Sequence, residues 1–203
     1  MKHTNPLRAY CLYMEFEGFS DYSYDDFENV DFLEFLQTSF NGQNLPADWK
    51  LPKHTLGNPQ KAILDFVNGY LQAPFVSQRV ADILGDRLIG QAEFRHVGKL
   101  KGKEYYVMNV IRLCDCLDLQ NSKYRVSSAD PSKIIAVDQF AFVPDRIPNV
   151  PLFKVPQDTG RIFATDTFVD WVREYRFTGV GFEDPANLGL TRIEKVFSDL
   201  PLT

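Results

Sequence analysis

Residues 88–116 constrain the fold more than any other part of the chain. Two β-rich runs, 88–97 and 103–116, flank the turn Gly98-Lys-Leu-Lys-Gly102. Two such runs joined by a short glycine-bearing turn predict an antiparallel hairpin. A lone hairpin is marginal in water, so the rest of the chain must supply strands or helices to cover its apolar face.

The remaining segments supply both. Residues 8–17 read as an opening strand, rich in β-prone aromatics. Residues 18–40 fit a helix or an extended run equally, whereas Gly42, Pro46, Pro52, Gly57 and Pro59 make 41–60 an irregular connection. Ala62, Ile63, Phe66, Val67, Tyr70 and Leu71 fall at helical spacing, which predicts a helix over 60–72, broken at Ala73-Pro74. Ser77 is placed to cap a second helix, 78–86. Strands are expected at 134–143, 161–164 and 179–183, with a Pro-dense extended stretch at 144–156. Thr165 or Asp166 opens a helix to about Tyr175, and Ile193, Val196 and Phe197 suggest one more short helix. Without strict βαβ alternation the class is α+β: a largely antiparallel mixed sheet with three or four helices packed on it, in a single domain spanning 1–203. A chain of 203 residues buries enough surface to need no staples.

Charge narrows the partners. The net charge is −5, and the stretch from Glu15 to Glu34 holds eight acids with no Lys or Arg. That stretch is −8, so the remainder is +3, and the chain as a whole offers no footprint for a nucleic acid. Three cysteines, an odd number, argue for reduced thiols and against a disulfide framework. The start has no continuous apolar h-region, and no apolar run reaches the ~18 residues that cross a bilayer. The expected location is cytoplasmic, with no membrane partner.

Few residues carry the pattern of a reaction. Cys114-Asp-Cys116 suggests metal or redox work, but structural zinc takes four ligands, and only Cys11 remains among the thiols. Neither a metal nor a cofactor is expected, and the two thiols read as small buried hydrophobes. An acid–base site for a small hydrolase or transferase would draw on Asp115, Asp118 and His96, and would need them to meet. Acids at strand ends more often form turns, so no catalytic residue is assigned. The nucleophile-elbow pattern Gly-x-Ser-x-Gly is absent.

The acidic stretch is the better candidate. Phe19, Tyr22, Tyr24 and Phe27 interleave with Asp21, Asp25, Asp26 and Glu28. Rings supply contact area and carboxylates speed encounter with a cationic surface, so these eight residues are the expected partner-binding set. The alternative is a solvated loop whose rings tuck into the core.

A family resemblance adds to this. Pro74-Phe-Val-Ser-Gln-Arg-Val-Ala-Asp-Ile-Leu84, Gly102-Lys-Glu-Tyr-Tyr-Val-Met-Asn-Val110 and Cys114-Asp-Cys-Leu-Asp118 are followed by Leu152-Phe-Lys-Val155, Arg161-Ile-Phe-Ala-Thr-Asp-Thr-Phe168 and Phe177-Thr-Gly-Val-Gly-Phe182. In this order, over 73–183, they resemble the eleventh family of bacterial immunity proteins from polymorphic toxin systems. The resemblance implies a protein that binds a cognate toxin and neutralises it, and it brings no catalytic residues. Residues 1–60 match least, which leaves the acidic, aromatic N-terminal part as this member's own surface toward a toxin, one with a basic face.

Overall fold

The computed structural model describes residues 7–15, 39–51, 62–69 and 73–188 in full, and the backbone of 21–24, 54–57 and 192–194. The expected hairpin is present as β6 (Ala92–Leu100) and β7 (Lys103–Val110). Its turn is tighter than the glycine spacing suggested. Leu100 pairs with Lys103, and the two residues between, Lys101 and Gly102, have φ of 49° and 76°. Positive φ at both central positions is the hairpin turn whose twist matches its strands. Gly98 instead marks a register shift within β6.

Two sheets dominate. β6 and β7 join β4 (Phe66–Val67) and β5 (Phe75–Ser77) in the order β4-β5-β7-β6. The larger sheet runs β10-β11-β1-β12-β13. There β1 (Ala9–Met14) lies between β11 (Asp158–Thr165) and β12 (Val180–Glu183), with β10 (Leu152–Val155) and β13 (Arg192–Glu194) outside them. All ladders in both sheets are antiparallel. Two antiparallel pairs complete the set, β2 (Asp21–Tyr24) with β3 (His54–Gly57) and β8 (Lys123–Val126) with β9 (Ile134–Gln139).

The described residues contain two α-helices where three or four were expected: α1 (Gln78–Leu84) and α2 (Asp166–Tyr175). Ser77 caps α1, accepting the Val80 N–H at 3.4 Å. Thr165 occupies the N-cap position of α2, but its hydroxyl donates to the Val150 carbonyl at 2.9 Å and makes no capping bond. The helix expected over 60–72 is overturned where it is described. Phe66 and Val67 are a short strand paired with Val76 and Phe75, and all four are buried. The expected C-terminal helix is also corrected at Ile193, which lies in β13; Val196 and Phe197 fall outside the described residues.

Three apolar clusters hold these elements. Side chains of both sheets and both helices meet in the first, among them Leu12, Phe66, Val80, Met108, Phe168 and Phe182. A second, of Phe40, Leu45, Val67, Phe75, Tyr105 and Val107, lies under residues 39–51. The third gathers Cys11, Cys114, Cys116, Phe140, Phe153 and Phe163. Burying a side chain of this size contributes about 1.5–3 kcal/mol, so the clusters supply the main force behind the fold.

Candidate partner-binding site

The acidic stretch enters the described structure through β2. Asp21, Tyr22 and Tyr24 pair with Gly57, Leu56 and His54 of β3, so backbone bonds join this stretch to the Pro-rich connection, which was expected to be irregular. Phe19, Asp25, Asp26, Phe27 and Glu28 lie outside the described residues.

Next along the chain, residues 39–51 form a strap over the second apolar cluster, and it is held by side chains from distant parts of the sequence. Lys154 of β10 donates its ammonium to the Phe40 carbonyl at 2.5 Å. Asn109 of β7 donates to the Gln43 carbonyl at 2.8 Å. Glu93 of β6 accepts from the Leu45 N–H at 2.5 Å and from Asn109 at 2.8 Å, while Arg95 donates to the Leu45 carbonyl at 3.2 Å and to Glu93 at 3.2 Å. Trp49 closes the loop on itself, its indole N–H donating to the Ser39 hydroxyl at 3.2 Å. These donors and acceptors satisfy backbone groups that a ladder would otherwise pair. Phe40 sits in the left-handed region at φ 60°, which a side chain adopts only where the surroundings hold it.

The residues considered for catalysis are each engaged apart from one another. His96, on the hairpin, has its Nε2 2.7 Å from Glu104, and this bond holds the Glu104 carboxyl below its usual range. Asp118 accepts from the Asn121 side chain and from the Gln120 and Asn121 amides, which lowers its pKa and makes it a turn former. Asp115 accepts from the Gln157 amide at 3.2 Å. None of the three shares a hydrogen-bond partner with another.

Cys11, Cys114 and Cys116 are free and buried in the third cluster. Burial pushes the Cys11 thiol up to about 11 and the Cys116 thiol up to about 12, and raises that of Cys114. Thiols in that state are poor nucleophiles and poor metal ligands at neutral pH. The expected strand stops at Val110, so Cys114 and Cys116 lie beyond it, but both face inward as the sequence suggested.

Of the large hydrophobic side chains that stay exposed, Leu119, Tyr124, Val126 and Ile135 lie on the β8–β9 pair or just before it. Arg125 and Asp138 bridge its strands at 3.2 Å.

Residues 27–187 match the family model described as Immunity protein family (Imm11), which is most of the chain. The chain belongs to the Imm11 immunity protein family. Among curated proteins no match is found. Membership points to a role in immunity and to a non-catalytic one, with a toxin as the general kind of partner. The Imm11 match begins well before the resemblance at 73–183, so it takes in the strap together with Phe27 and Glu28. Phe19, Asp21, Tyr22, Tyr24, Asp25 and Asp26 precede it.

The strap anchors Lys154, Asn109, Glu93 and Arg95 went unnoticed in the sequence. One signal was available for Lys154. It interrupts the run Leu152-Phe-Lys-Val155, all four residues of which are buried.

Proposed function

We propose that this Imm11 protein binds a cognate toxin in the cytosol and neutralises it by stoichiometric occlusion. The family match over 27–187 is the observation that carries the reading. The contact set is Phe19, Asp21, Tyr22, Tyr24, Asp25, Asp26, Phe27 and Glu28, in a stretch carrying −8 on a chain otherwise +3. An anionic face with aromatic anchors suits a toxin with a basic surface: the carboxylates raise the encounter rate and the rings slow dissociation. Occlusion needs no chemistry from the immunity protein, only a surface that covers what the toxin needs.

The experiment is a titration of the purified cognate toxin's activity with this protein. Inhibition that saturates at one protein per toxin supports occlusion. Inhibition that grows with time at sub-stoichiometric ratios would instead mean turnover, and would end the proposal.

A further inference from the structure

Lys154 is the one charged side chain among the buried described residues, at 0% exposure. Its ammonium faces the strap and donates to the carbonyl of Phe40, 114 positions away in sequence. Taking an ammonium out of water costs several kcal/mol, which is recovered only where other groups compensate it well. Compensation here is thin. Asp158 of β11 attracts Lys154, but Asp158 is itself paired with Arg161 at 3.6 Å. Burial also raises the Asp158 pKa, disfavouring its charged form. Glu93 and Arg95, which hold the strap from β6, are bonded to each other and to Leu45.

We propose that residues 39–51 are a proton-coupled strap: opening it hydrates Lys154, so it opens more readily with Lys154 protonated and seats more firmly with Lys154 neutral. A neutral amine still has N–H groups, so the Phe40 carbonyl keeps a donor in the seated state. The left-handed Phe40 backbone favours the same opening, because releasing it relieves local strain. The window follows from the site. Burial lowers the Lys154 amine from 10.5 to about 8. The open strap therefore binds more protons than the closed one between those values, and rising pH favours closure across that range. Below it, the cost of burying the charge is fully present.

The test is amide hydrogen exchange of the full chain, labelled by quench-flow at pH 7 and pH 9 and read by mass spectrometry, with rates divided by the intrinsic amide rates. The opening constant of residues 39–51 should exceed that of the β6–β7 hairpin, which opens only with the whole fold, and should fall about tenfold from pH 7 to pH 9. In Lys154→Met the strap should lose that pH dependence. A wild-type opening constant that does not move between the two pH values overturns the proposal, whatever the variant does. Retention of the full dependence in Lys154→Met overturns it as well.

Discussion

Single positions decide much of this molecule, and two of them make opposite demands on the chain. Gly179 has φ 83°, and a Cβ there would lie 2.2 Å from the Phe66 carbonyl oxygen, a backbone atom with little room to move. Gly179→Ala should therefore lose at least about 2 kcal/mol, read by urea denaturation. Lys154, by contrast, tolerates its place at a cost that pH controls. Its amine falls from 10.5 in the unfolded chain to about 8 in the folded one. The unfolded chain therefore binds the extra proton between those values, and Lys154's contribution to stability rises with pH through that window. Comparing urea midpoints of wild type and Lys154→Met from pH 7.5 to 10 isolates the effect from other titrating groups. The difference should shift steadily toward wild type as pH rises; a constant difference would show that Lys154 does not titrate there. The thiols make a third case. With Cys11 pushed up to about 11 and Cys116 up to about 12, native protein at pH 7.5 should resist iodoacetamide and label only on unfolding.

At the level of elements, one carboxylate joins what the strands alone would leave separate. Asp65 precedes β4 and accepts from Ser77 at 2.8 Å, from Arg79 at 3.0 Å, and from the Thr178 amide and hydroxyl at 3.2 Å each. It thereby ties β5 and α1 to the lead-in of β12. Asp65→Ala leaves four donors, on three residues, short of a partner and should destabilise by about 2–3 kcal/mol in thermal or chemical unfolding. Elements whose signal is local could be read from the sequence. The hairpin follows from two β-rich runs and a glycine turn, and α2 from a stripe of Phe168, Val169 and Val172. Where the spacing misled, a strand of two residues was buried on both faces. Phe66 and Val67 carry too short a pattern to oppose the helical periodicity around them, and only their partners Val76 and Phe75 decide the matter. The strap was illegible for a related reason. Its backbone is fixed by Glu93, Arg95, Asn109 and Lys154, which lie 48 to 114 positions downstream.

For the whole molecule, the arrangement among the described residues is a scaffold of two antiparallel sheets and two helices, and in sequence an acidic, aromatic stretch precedes a pinned strap. No helix among those residues is long and apolar enough to cross a membrane. The charge asymmetry between the stretch from Glu15 to Glu34 and the rest of the chain makes association rate the property on which the proposed toxin contact depends. Attraction over a distance accelerates encounter and is screened by salt, whereas short-range packing sets how long a complex lasts. The most direct measurement is the association rate with the cognate toxin, for wild type and for Asp25→Lys, Asp26→Lys and Glu28→Lys combined, at low and high ionic strength. Wild type should associate at least about tenfold faster than the variant at low salt, and the gap should narrow as salt rises. Equal association rates at low salt would contradict the assignment of this stretch as the surface that meets the toxin.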